Sequence, residues 1–217
     1  MIEFHKFSKI PRLNRDMIIT EKLDGTNAQI CVVGQREIDE WVNGPETADW
    51  VYEFGNRASV HVEDSSPFSK DYCLFAGSRN RWISTADDNH GFAKWVRQNK
   101  QDLATLGVGL HFGEYWGQGV QRNYGLKEKR FSLFNVSRWE NPLERPNCCH
   151  CVPVLYEGPF DTDVIEQSVG NLAHTGSKAV PGFMDPEGVV VFHKAANSMF
   201  KVTCKNDEVP KGSKEVR

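Results

Sequence analysis

Apolar positions along this chain fall in short runs, rich in β-branched and aromatic residues and punctuated by Gly, Pro, Asn and Asp. That pattern predicts strands bounded by turns. Such runs occupy residues 17–20, 28–33, 71–75, 109–115, 130–136, 152–156, 188–193 and 200–203. In two places the spacing changes to that of a helix. Within 91–106, Phe92, Trp95, Val96, Leu103 and Leu106 form one apolar stripe, with Asp88 or Asn89 available to cap its start and Gly107 to end it. Within 163–173, Val164, Ile165, Val169 and Leu172 form another, with Asp163 and Glu166 spaced as a capping box and Gly176 beyond the end. Strands that do not alternate strictly with helices predict an α+β fold, antiparallel sheets with flanking helices.

Composition narrows this picture. At 217 residues, 39% hydrophobic and 11% aromatic, the chain can bury a substantial core. No Pro/Gly/Ser-rich linker divides it, so the expectation is a single domain over residues 1–217 closing in a short polar tail, 206–217. A net charge of −3 argues against a general nucleic-acid coat but leaves room for a local basic groove. With no run of 18 apolar residues and no signal-peptide pattern, a membrane role is not expected and the default address is cytoplasmic. Three of the six cysteines crowd into Cys148-Cys149-His150-Cys151. That spacing suits neither a disulfide framework nor the two-residue gaps of a zinc ribbon, and all six read as reduced, mostly buried thiols.

Candidate chemistry is concentrated in a few segments. In Thr20-Glu21-Lys22-Leu23-Asp24-Gly25-Thr26-Asn27 a lysine stands beside an Asp-Gly turn at the end of a strand. It reads either as a solvated residue next to a hairpin turn or as a nucleophile. A free lysine, with a pKa of about 10.4, is neutral roughly once in a thousand molecules at neutral pH, so a nucleophilic role requires desolvation or positive neighbours. Ser78-Arg79-Asn80-Arg81 places two cations in a short loop, suited to bidentate phosphate or ribose contacts or to plain solvation. Glu114 lies in an apolar, glycine-bracketed strand end, where a carboxylate is costly unless a salt bridge, ribose hydroxyls or a metal satisfies it. The rings of Phe131-Ser132-Leu133-Phe134 are core, or one of them floors a nucleobase pocket. Glu187 stands at the mouth of the strand Gly188-Val189-Val190-Val191, a second carboxylate suited to a hard cation. If the strand after Phe200 continues, Lys201, Thr203 and Lys205 share one face, either as edge-strand lysines or as a phosphate cradle.

Taken in order, these segments resemble the collinear motifs of the covalent nucleotidyltransferases, the superfamily of DNA ligases, RNA ligases and mRNA capping enzymes. Lys22-Leu23-Asp24-Gly25 is similar to the first motif, Ser78-Arg79-Asn80 to the next and Phe112-Gly113-Glu114 to the third. Phe131–136 resembles the aromatic motif, Glu187-Gly188-Val189-Val190 the fourth, and Lys201 with Lys205 the fifth. Two departures stand out. Asn135 replaces the usual acid of the aromatic motif, and three residues rather than one separate the two lysines. The wording of Gly113-Glu114-Tyr115-Trp116-Gly117-Gln118-Gly119 resembles phage-type RNA ligases of the RNA ligase 2-like branch.

The resemblance implies a nucleotidyltransferase (ATP-grasp-like ligase) domain without a C-terminal oligonucleotide-binding barrel. It implies an ATP-dependent RNA ligase using Mg²⁺ or Mn²⁺ and acting on RNA ends, a nicked duplex among them. It makes Lys22 the nucleophile, Lys201 a phosphate-facing catalytic partner and Glu187 a catalytic, metal-associated carboxylate. It further assigns Glu21, Asn27, Arg79, Glu114, Phe134 and Lys205 to the nucleotide, with Glu114 on the ribose and Phe134 against the base. A DNA ligase, a capping-type enzyme and an end-binding module with little or no joining activity are the alternatives.

Overall fold

Period-two alternation in the sequence becomes period-two burial in the structure, a computed structural model that describes residues 3–34, 58–62 and 70–205. The tail expected at 206–217 lies outside the described residues. The elements run β1 (Asp16–Lys22), β2 (Thr26–Gly34), β3 (Ala58–Val62), β4 (Lys70–Ser78), β5 (Trp82–Ile83), α1 (Phe92–Gln98), α2 (Lys100–Ala104), β6 (Gly109–Gly117), β7 (Lys129–Leu133), α3 (Val136–Trp139), β8 (Cys149–Cys151), β9 (Val154–Pro159), α4 (Thr162–Thr175), β10 (Gly188–His193) and β11 (Ser198–Thr203). This is the expected α+β class, antiparallel throughout except where β7 runs parallel to β8.

The chain divides into two compact units, one made of the residues up to Leu23 together with those from Val152 onward, the other of Asp24–Cys151. The first holds a four-stranded sheet in the order β11-β10-β1-β9. Met17 and Ile19 of β1 and Val189 and Val191 of β10 project from one face onto the apolar stripe of α4, packing with Val164, Ile165, Val169 and Leu172. The second holds a seven-stranded sheet, β3-β4-β2-β6-β7-β8 with β5 on β4. Ala28, Ile30 and Val32 alternate into its core with Leu74, Ala76, Tyr115, Phe131 and Leu133, and α1 and α2 close over them with Phe92, Val96 and Leu103.

Three boundaries differ from the sequence expectation. The helix expected over 91–106 is two helices broken at Asn99, whose side-chain amide donates to the Trp95 carbonyl in competition with the helical backbone. The strand expected to reach 136 stops at Leu133, because the chain turns at Asn135 and Val136 opens α3. The second predicted helix is capped by Asp161, which accepts from the Asp163 N–H, and not by a box built on Asp163 and Glu166. The stops are as expected: Gly107 and Gly176 both take positive φ beyond their helices. Cys73 and Cys149 are buried and the other four cysteines half-buried. No helix among the described residues is long and apolar enough to cross a membrane.

Asp88 caps α1 from a distance. Gly91, the residue before the helix, offers no side chain, and the Asp88 carboxylate accepts instead from the N–H groups of Ala93 at 2.8 Å and Lys94 at 3.0 Å. Replacing Asp88 with Ala is expected to lower stability by about 1–2 kcal/mol, the usual value of an N-terminal cap. Chemical denaturation measures the change, and an unaltered midpoint would remove the capping role.

Candidate active site

Strand alternation decides which groups can meet in the first unit. On β1, Met17, Ile19 and Glu21 share the face that packs on α4, and Ile18, Thr20 and Lys22 share the other. Lys22 stands directly across from Gly188 at the start of β10, next to Glu187. There the Lys22 Nζ lies 2.6 Å from the Glu187 Oε2, with side chains 21% and 6% exposed. The motif glycine at 188 is required by the backbone: a Cβ there would overlap the Val202 carbonyl oxygen.

Lys201 pairs with Val190, and Val190 with Thr20, which places Lys201 on the Lys22 face of the same sheet. Ideal strand spacing puts the two lysine Cα atoms roughly 12 Å apart. Lys201 is exposed and has no hydrogen-bond or ion-pair partner among the described residues. Lys205 is placed differently from the expected row 201, 203, 205. The strand ends at Thr203, and Lys205 lies beyond it, largely exposed and paired with Asp185 at 2.7 Å.

Glu21 faces away from Lys22, as its neighbour on a strand must. Its side chain is 1% exposed, and its Oε2 accepts from the N–H groups of Lys178 at 2.8 Å and Ala179 at 2.9 Å. Burial raises its pKa, and hydrogen bonds from Ser177, Ala179 and Lys178 only partly offset that rise. The carboxylate, expected to contact the nucleotide, is enclosed on the helix side of the sheet and engaged by backbone.

In the second unit the turn after Leu23 is held by three groups. The Asp24 N–H donates to the Tyr124 hydroxyl at 2.8 Å, the Asp24 carboxylate pairs with Arg122 at 2.9 Å, and the Gly25 N–H donates to Glu114 Oε1 at 3.1 Å. Gly25 has no room for a side chain, since a Cβ would stand 2.5 Å from the Tyr115 carbonyl oxygen. Arg122 and Tyr124 were not singled out in the sequence. They pair with a residue about a hundred positions away, and Tyr124 sits in a loop where Gln121, Asn123 and Tyr124 all take positive φ. The nearest sequence signal is the glycine-rich stretch ending at Gly125.

Register gathers Asn27, Glu114 and Phe134 on one face of this unit's sheet. Asn27 lies opposite Glu114, and Glu114 opposite Ser132, whose hydroxyl accepts from the Trp116 indole N–H at 2.9 Å. Alongside, the half-buried Phe134 follows the end of β7 and donates its N–H to the Phe112 carbonyl, while Phe112 is 47% exposed. Phe112 is thus a second candidate ring beside the acid, one that sequence reading passed over. Arg79 is exposed in the bend after β4 and has no partner among the described residues, whereas the neighbouring Arg81 donates two hydrogen bonds to Asp87.

A single carboxylate suits a hard divalent cation that completes its shell with phosphate and water. Glu187, sequestered from solvent and already in contact with a cation, has that chemistry. No cluster of three or more His, Cys, Asp or Glu side chains able to hold a metal occurs among the described residues.

Comparison with known proteins places these features in context. A family model described as RNA ligase matches residues 15–203. No curated protein matches the chain. Among solved structures, a lysine-to-alanine variant of Naegleria gruberi RNA ligase with ATP and Mn is 16% identical, with a TM-score of 0.51 over 88% of this chain and 49% of that one. A glutamate-to-alanine variant of the same ligase with AMP and Mn is 18% identical, with a TM-score of 0.52 over 88% of this chain and 50% of that one. These likenesses show a shared fold, and this chain spans about half the length of the proteins it matches.

The raised pKa of Glu21 has a consequence for stability. Its carboxyl binds a proton more tightly folded than unfolded, so its contribution is fully present below the unfolded pKa and is lost as pH rises through the folded value. Glutamine does not titrate. The melting temperature of Glu21→Gln relative to the parent is therefore expected to rise by a few degrees between about pH 4 and pH 8, and a difference that stays flat with pH would contradict this.

Proposed function

The chain belongs to the RNA ligase family, and from that premise we propose that it is an ATP-dependent RNA ligase acting through a lysyl-adenylate on Lys22. The observation that carries this reading is the Lys22 amine held against Glu187 at 2.6 Å, on the sheet face that also bears Lys201. Binding a nucleic-acid end needs no oriented amine, whereas covalent transfer does.

In the first step the Lys22 nitrogen, having lost its proton, attacks the α-phosphorus of ATP. The bond to pyrophosphate breaks and a phosphoramide bond to AMP forms. AMP then passes to the 5′-phosphate of RNA, freeing the lysine. A 3′-hydroxyl attacks that activated phosphate and AMP leaves. Glu187 orients the amine and lies within reach of its proton. Lys201 brings positive charge to the same face, which complements charge developing on the phosphates. A divalent ion at Glu187, Mg²⁺ or Mn²⁺, supplies neutralisation of phosphate charge when bound.

For the second unit the family resemblance assigns Glu114 to the ribose, Phe134 to the base, and Arg79 to nucleotide or RNA end. The opposition of Asn27 and Glu114, with Phe134 and Phe112 on neighbouring positions, supports their acting together. The bond from Gly25 N–H to Glu114 gives that carboxylate a second task, holding the turn that follows the lysine. Lys205, tied to Asp185, is the weakest of the proposed phosphate contacts. The reading treats residues 1–217 as one adenylyltransferase domain of the phage-type branch, and its natural substrate as RNA with a 5′-phosphate meeting a 3′-hydroxyl.

Incubation with α-labelled ATP and a divalent metal tests the core of this. The parent protein is expected to take the label and Lys22→Ala, still folded, to lose at least about a thousandfold of it; strong labelling of that variant refutes the assignment. Parallel incubations with GTP and with labelled RNA and DNA ends distinguish a capping-type enzyme, a DNA ligase and a module that adenylylates without joining.

A further inference from the structure

The carboxylate preceding Lys22 has no part in the reaction as described, yet it is among the most enclosed polar groups in the protein. Its two backbone partners, Lys178 N–H and Ala179 N–H, belong to a tightly closed loop. Gly176 N–H bonds back to the Leu172 carbonyl, Ser177 N–H to the Phe183 carbonyl, Val180 N–H to the Ser177 hydroxyl and Phe183 N–H to the Val180 carbonyl. From this loop the chain runs through Asp185 and Pro186 into Glu187.

Adjacent residues of β1 therefore grip both ends of one ten-residue stretch. Glu21, facing α4, binds the amides at 178 and 179, and Lys22, facing the other way, pairs with the carboxylate at 187. An apolar side chain would fill the Glu21 position at lower desolvation cost. It could not accept two N–H groups.

We propose that Glu21 is a positioning residue for lysine adenylylation, clamping the 178–179 turn to β1 and so fixing where Glu187 meets Lys22. This rests on the function proposed above. It also replaces the expectation of a nucleotide contact by this side chain with a task carried out through another residue. Burial works against a charged carboxyl here, so the group is retained for what it binds.

The test compares the full-length parent with Glu21→Ala and Glu21→Gln. Single-turnover labelling by α-labelled ATP gives the rate and half-saturation of lysyl-adenylate formation, and amide hydrogen exchange at residues 178 and 179 reads the clamp directly. The alanine variant is expected to form adduct about tenfold or more slowly, consistent with small misplacement of a reacting pair. Its half-saturating ATP should stay within about threefold of the parent, with faster exchange at both amides. Glutamine, whose carbonyl oxygen still accepts both N–H groups, should restore the rate to within about threefold. A parental rate in the alanine variant overturns the proposal. So does a loss that appears wholly as weaker ATP binding, since that marks a nucleotide contact. If the alanine variant does not fold, Glu21→Asp takes its place: it keeps the charge and withdraws the carboxylate by one methylene, and a parental rate despite faster exchange overturns the proposal equally. Absence of label on the parent would fall on the proposed function itself, and it is told apart because the exchange measurement needs no ATP.

Discussion

An ammonium and a carboxylate, both largely withdrawn from water, tie the end of β1 to the start of β10 in the first unit. Lys22 and Glu187 meet at 2.6 Å with only 21% and 6% of their side chains exposed. Removing one partner of such a pair costs about 3–5 kcal/mol because it strands the other charge. β1 and β10 bring the two groups together through six consecutive paired positions, from Met17↔His193 to Lys22↔Gly188. Under the proposed function a phosphate chain would compete for Lys22 and a divalent cation for Glu187.

Strand geometry then explains why neighbouring residues have unrelated tasks. A period of two turns Glu21 toward α4 and Lys22 away from it, so a dipeptide that reads as one polar patch is split across a sheet. The apolar half of the alternation does the folding. Met17, Ile19, Val189 and Val191 bury against α4 and orient the polar half without any contact from it. The second unit follows the same logic on its own sheet. Ala28, Ile30 and Val32 enter the core, and Asn27 is thereby presented on the face that carries Glu114.

The turn following the lysine shows how tightly a small motif can be specified. Gly25 is required because the Tyr115 backbone leaves no space for a Cβ, and the same close approach delivers the Gly25 N–H to Glu114. Asp24 is held on both its backbone and side-chain groups by Tyr124 and Arg122. The Asp-Gly signal was legible as a turn, but its partners were not, because they lie some hundred residues further along.

Local patterning sufficed for the elements whose causes are local. The strands at 188–193 and 28–33, the apolar stripes of the helices and the glycine stops all follow from alternation, 3.6-residue spacing and turn chemistry, which belong to neighbouring residues. The choice of Lys22, Glu114, Glu187 and Lys201 came from the resemblance carried by the short motifs around them. Pairing across the sheets supplied the remainder. Only the tertiary structure could show that the 178–179 turn closes over Glu21, that Phe112 lies exposed beside Phe134, that the last strand stops before Lys205, and that Glu187 meets Lys22. The physical reason is that alternation tells which residues share a face of one strand, whereas contacts between strands depend on how distant segments slide into alignment, which nothing in the spacing of either segment encodes.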